Sequence, residues 1–202
     1  MKDLKELYIH ELQDLYSAEE QLIAALPKMV EAASSTKIKG AFRDHLELTR
    51  KHHQRLEQIF SKHGESPRGK KCKGMEGLIK EGEDIIKEDA PAEVKDVALI
   101  AAAQRVEHYE IAAYGTVRTF ASKLGLHDDK AVLQETLNEE GATDILLTQL
   151  AQGSTGSDGA NAQAMPEQAS MSEGYGRQSG GRNGDTRREK STTTAAGKSR
   201  QS

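Results

Sequence analysis

One cysteine, no tryptophan, three phenylalanines and four prolines make this a chain defined first by what it lacks. The lone Cys72 excludes an internal disulfide and fits a reducing compartment. With aromatics at only 4%, and Ala, Leu, Glu, Lys and Gln abundant, helices are favoured over sheets. No stretch approaches the roughly 18 apolar residues of a membrane span. The start, MKDLKELYIHELQDLYSAEE, is charged throughout and lacks the apolar run of a signal peptide. A net charge of -4 gives no reason to expect nucleic acid as a partner. A cytoplasmic protein without membrane association is the expectation.

The composition changes abruptly at about Gln152. From 153 to 202 there is one aromatic residue, Tyr175, and no Leu, Ile, Val or Phe. Such a segment buries too little apolar surface to offset the entropy of ordering, so a disordered, solvating tail is expected. It carries seven Lys/Arg against five Asp/Glu, about +2, which leaves residues 1–152 at about -6.

Those first 152 residues read as helices separated by short punctuation. The first spans about Asp3 to Ala33. The second starts near Thr36, read as its N-cap, and stops at His63-Gly64, with glycine in the position after the helix. SPRGKKCKG is a loop, and a short helix follows over about Met75 to Lys87. Asp89-Ala90-Pro91 opens a long helix, with proline in its first turn, that runs to Leu124. The last begins at His127-Asp128 and ends near Ala151. Four long amphipathic helices and one short one predict an all-α four-helix bundle. The short helix belongs to the connection between the second and third long helices, the only one able to cross the bundle's length.

Steps of three and four residues trace the core-facing seam of each long helix. The seams are Leu12, Leu15, Glu19, Leu22, Leu26; then Phe42, His45, Thr49, His52, Leu56; then Ala103, Val106, Glu110, Ala113, Val117; and Leu133, Leu137, Glu140, Asp144, Leu147. Glu107 stands on the edge of the third. Every seam is interrupted near its middle by polar residues. Antiparallel packing would gather Glu19, Glu107, Glu110, Glu140 and Asp144 with His45 and His52 at one level. Each buried ionised carboxylate costs several kcal/mol, and like charges nearby add to it. Five together would erase a stability of roughly 5–15 kcal/mol unless something compensates. Two divalent cations would neutralise four of the five charges. Carboxylate with imidazole and no thiolate suits iron or manganese, with zinc possible.

The pattern of dinuclear bundles, Glu from two helices and Glu-x-x-His from the other two, is met in part. Thr49-x-x-His52 has threonine where glutamate belongs, and Glu140-x-x-Thr143 lacks the histidine. Taken singly, Glu19 reads as a helix-edge residue, and His45 and His52 as satisfied core histidines; the coincidence of four interruptions favours metal. Tyr16, His108, Tyr109 and Tyr114 lie beside the seams, where packing with a bonded hydroxyl is expected of the tyrosines. Cys72 reads as an inert loop residue, although its lysine neighbours would favour the thiolate.

The stretches DLYSAEEQL, HLELT, MEGLI, DVALIAAAQRVEHYEIAAYGT and LNEEGATDILLT resemble the YciF-like branch of the ferritin-like superfamily. The resemblance covers about residues 1 to 152. It implies a ferritin-like bundle with an additional helix, bacterial origin, a homodimer and a role in general stress responses. Glu19 then matches the first-helix glutamate of ferritin-like sites, Glu107 and Glu110 the paired glutamates of rubrerythrin-like members, and Glu140 the last-helix glutamate. The expected function is a dinuclear iron or manganese protein that reacts with peroxide or dioxygen. Its rival is a helical bundle without redox metal that serves as a structural or partner-binding protein.

Overall fold

The computed structural model describes residues 1–153 and 158–166. Six helices account for the secondary structure among them: α1 (Leu4–Ala32), α2 (Thr36–His63), α3 (Lys73–Lys87), α4 (Ala92–Lys123), α5 (His127–Gln152) and the single turn α6 (Ala160–Gln163). The all-α bundle expected from the sequence is present, with α1, α2, α4 and α5 as its four long members.

The helix ends follow local chemistry. Asp3 caps α1 by accepting the backbone N–H of Glu6 at 2.8 Å. Ser35, one residue before the expected Thr36, occupies the N-cap position of α2. Pro91 likewise sits at the N-cap of α4 rather than inside its first turn. Gly64 ends α2 with φ 64°, a left-handed conformation that glycine adopts without steric cost.

Helix α1 packs on α2 and α4, and α5 on α4 and α2, which closes the four-membered ring. Neighbours run antiparallel. His63, at the end of α2, meets Asp129 at the start of α5, whereas His45 further back on α2 meets Glu140. The end of α1 adjoins the start of α4, where Asp96 accepts Ser34 N–H, Ser34 Oγ–H and Ser35 N–H at 2.7, 2.6 and 2.8 Å. Helix α3 lies on α1 and α4 and forms part of the long connection.

Apolar clusters stand at both ends of the bundle's polar middle. One contains Tyr8, Leu12, Leu56, Phe60, Val117 and Leu133; the other contains Ile38, Phe42, Leu99, Ile100 and Leu147. A third, under α3, holds Leu22, Leu26, Cys72, Met75 and Val106. Burial of these side chains at about 25 cal/mol per Å² drives assembly.

Ordered structure extends past the composition change at Gln152. Ala160 of α6 is buried against the cluster that contains Leu99 and Leu147. The close doubling-back requires glycine: Gly153 has φ 72°, and a Cβ there would sit 2.3 Å from the Gly159 nitrogen. Residues 154–157 and 167–202, the larger part of the segment expected to be disordered, lie outside the described residues. No helix among the described residues is long and apolar enough to cross a membrane.

Candidate metal centre

The polar interruptions do meet. Glu19, His52, Glu107, Glu110 and Glu140 are 0% exposed and His45 is 3% exposed. They form two groups, His45 with Glu107, Glu110 and Glu140, and Glu19 with His52 and Glu140, each with donor atoms within 4.8 Å of one another. Glu140 belongs to both. All four long helices contribute, because each presents its interrupted seam at the same depth.

Distances are short while hydrogen bonds are missing. His45 Nδ1 lies 3.1 Å from Glu107 Oε1, and His52 Nδ1 lies 2.9 Å from Glu140 Oε1. Yet Nδ1 of both histidines, Nε2 of His45, both oxygens of Glu107, Glu110 and Glu140, and Oε2 of Glu19 make no hydrogen bond. Buried polar atoms are ordinarily paired, and leaving one unpaired costs about 1–3 kcal/mol. Buried carboxylate and imidazole atoms that converge without hydrogen-bond geometry between them are an arrangement a cation would complete. The donor set, carboxylate and imidazole around a shared glutamate, fits two iron or manganese ions.

Without such charge, burial reshapes the acidities. Desolvation, then the neighbouring Glu140, pushes Glu19 up to about 8 against the pull of His52 and Tyr114. Glu107 and Glu110 are raised well above the usual carboxylate range by burial first and by Glu140 next. Burial lowers His45. For His52 burial acts in the same direction, but Glu140, Glu19 and Glu139 together outweigh it and bring the ring to about 8.

Groups around the centre anchor it. Tyr114, itself buried, donates its hydroxyl to Glu19 Oε1. His52 Nε2 faces Glu139 Oε2 at 2.9 Å, and Arg55 binds Glu139 and Glu135. This chain of contacts leaves Nδ1 of His52 for the centre. The Thr49 and Thr143 hydroxyls, placed where the dinuclear motif has other ligands, instead bond the carbonyls of His45 and Glu139 at 3.0 and 3.1 Å.

Asp144 is the one expected ligand that stays outside both groups. Its side chain is 21% exposed, and its Oδ1 accepts Gln104 Nε2 at 3.2 Å and lies 3.6 Å from His108 Nε2. The seam of α5 runs through Leu133, Thr136, Glu140, Thr143 and Leu147. One residue is about 100° of helix rotation, so Asp144 turns toward the edge of α4. Glu139 and Arg55 escaped the sequence reading because both lie on seam edges, where charge is ordinary. The Glu-Glu pair at 139 and 140 was their only signal.

The same chain has clear relatives. Residues 3–160 match the model of a family described as a domain of unknown function, DUF892. The protein YciF of Escherichia coli (strain K12) is 49% identical over 152 residues, 75% of this chain and 92% of that protein. The crystal structure of the E. coli stress protein YciF aligns with TM-score 0.72 at 48% identity, covering 74% of this chain and 95% of that one. YcfI, a putative structural protein from Rhodopseudomonas palustris, aligns with TM-score 0.72 at 42% identity, covering 75% and 96%. The chain therefore belongs to the DUF892 family and is a YciF homologue of the ferritin-like superfamily.

Proposed function

We propose that this chain is a bacterial stress-response protein whose bundle core holds a dinuclear iron or manganese centre, and that the centre reacts with peroxide or dioxygen. The convergence of buried carboxylate and imidazole atoms that lack hydrogen-bond partners carries this reading. Glu140, common to both groups, would be the shared carboxylate of the proposal; Glu107, Glu110 and His45 would hold one ion, and Glu19 and His52 the other. Bound ions supply Lewis-acid and redox chemistry there. The chain's own residues do the rest: Tyr114 holds Glu19, Glu139 orients His52, and the apolar clusters on either side exclude water. A homodimer, a cytoplasmic location and the absence of a nucleic-acid partner complete the proposal. So does the division into a bundle over 1–152 and an accessory tail.

A second reading is a structural bundle without metal. The contact between His52 and Glu140 favours it, since protonated carboxyls beside a charged imidazole lower the cost of burial. Elemental analysis of protein purified without chelator separates the two. About two iron or manganese ions per chain, lost in Glu140→Ala, is the outcome expected. Metal-free protein that also binds neither ion on titration sinks the dinuclear reading.

A further inference from the structure

Helix α3 leaves a gap where it lies on α1 and α4. The gap has a volume of about 20 Å³ and is lined by Leu22, Met29, Leu78, Ile86, Ala102 and Val106. Gly82 forms part of its wall on α3. This glycine is buried, yet a Cβ built there would meet nothing within 4 Å. Gly74 in the same helix is the opposite case, since a Cβ there would stand 2.7 Å from Tyr109 Cε2. Glycine is unfavourable in a helix interior relative to alanine, and at Gly82 no close neighbour requires it. The missing side chain leaves open space inside the fold.

The chemistry of the gap restricts what fits. Its charged lining residues, Lys28 and Glu83, bind each other at 2.7 Å, and Lys28 is 59% exposed, so this pair marks the solvent side. Further in, the walls are aliphatic, and the helix backbones bond internally. Water or hydrogen peroxide needs two or more polar partners to be held there, and the inner walls offer none. Roughly 10–15 Å³ houses one water-sized molecule, so a diatomic fits and a long chain does not.

The inner end of the gap reaches the seams that carry the centre. Leu22 is 2% exposed and stands three residues after Glu19 on one face of α1. Val106 stands four residues before Glu110 on one face of α4. Each is roughly 5 Å along its helix from a proposed ligand.

We propose that this gap is a binding site for dioxygen, an apolar diatomic, one helical turn from the centre. The choice of dioxygen among small apolar molecules rests on the dinuclear reading, and it selects dioxygen over peroxide as the oxidant held beside the centre. The site itself consists of this chain's side chains and requires no metal.

The test is the paramagnetic effect of dissolved dioxygen on methyl relaxation in the full-length protein, with dioxygen and nitrogen compared at equal pressure. Samples carry zinc, which is diamagnetic, or no metal. Uptake of iron and manganese is measured in parallel by elemental analysis. The Leu22 methyls should relax faster under dioxygen than those of Leu99 and Leu133, which are as deeply buried. Gly82→Leu, whose side chain fills the gap, should lose that excess while its unfolding midpoint holds or rises. Equal enhancement at the three leucines overturns the proposal, and this comparison uses the unaltered chain, so it stands whether or not the variant folds. An excess that survives in Gly82→Leu overturns the assignment to this gap. Two bound ions without the excess overturn the dioxygen site and leave the metal reading standing. The excess in protein that takes up neither iron nor manganese leaves the dioxygen site standing and overturns the metal reading.

Discussion

Raising the pH from about 5 to about 8 is expected to weaken the metal-free protein and to strengthen its hold on metal. The sign follows from the buried carboxyls. Glu19 ordinarily ionises near 4.5 and in the fold near 8. Between those values the unfolded chain has released this proton while the native state keeps it. Stability is therefore full below the lower value and is lost as pH rises through the upper one. At about 1.4 kcal/mol per unit, Glu19 alone accounts for a loss on the order of 5 kcal/mol. Glu107 and Glu110 shift in the same direction. His52, raised from 6.5 to about 8, also loses its contribution at the upper end of this window. His45 opposes only in the acid half, because its lowered value makes the protonated ring unfavourable there.

For a chain of this length about 1 kcal/mol moves the midpoint by roughly 2–4 °C, so the metal-free protein should melt about 10–20 °C lower at the upper pH. Metal coordination uses ionised carboxylates and releases their protons, so the increment in midpoint produced by saturating manganese should grow over the same range. Thermal unfolding followed by circular dichroism at constant ionic strength measures both. A metal-free midpoint that rises across the window would show that the carboxyls are not held protonated. An increment from manganese that is equal at both pH values would show that the metal binds elsewhere.

Three substitutions probe the parts separately. Glu110→Leu removes a buried, unpaired carboxyl, so the metal-free midpoint at neutral pH should hold or rise while the stabilisation by manganese disappears; a fall of both would mark Glu110 as structural. Glu139→Ala frees the His52 ring, and manganese affinity by titration calorimetry should drop about 10–100-fold, with Glu139→Gln recovering much of it because the amide oxygen still accepts a hydrogen bond. Asp96→Ala deletes three contacts to the α1–α2 turn and should cost about 2–3 kcal/mol in denaturant unfolding without change in metal content.

The bundle itself was legible because its signals are local. The Gly64 terminus, the punctuation around Pro91 and the seam of leucines in α1 are each set by residues within a few positions of one another. Boundaries shifted by a residue at Ser35 and Pro91, where two adjacent residues compete for one cap. The turn α6 was not legible, because the glycines that mark 153–159 as low in complexity are the ones that let two backbones approach within contact. Composition alone does not distinguish a glycine that loosens a chain from one that permits a close approach.

At the site the same division holds with sharper consequences. Glu19, His52, Glu110 and Glu140 interrupt apolar runs, and burial follows from that interruption whichever helices pack together. Asp144 interrupts a run equally well, yet it lies outside both groups. The sequence of α5 accommodates two seams one residue apart, Leu137–Asp144 and Thr136–Thr143, and only the facing helices decide between them. Threonine wins because its hydroxyl bonds the carbonyl four residues back and presents a methyl group to the core. Asp144 has no such internal partner and turns to Gln104 at the edge. Glu139 is the converse case. Its role comes from Arg55 and His52, which stand 84 and 87 residues away and act on it only once α2 and α5 lie side by side. A single seam thus gives the residues that must be buried, and the facing helix decides which neighbour orients them.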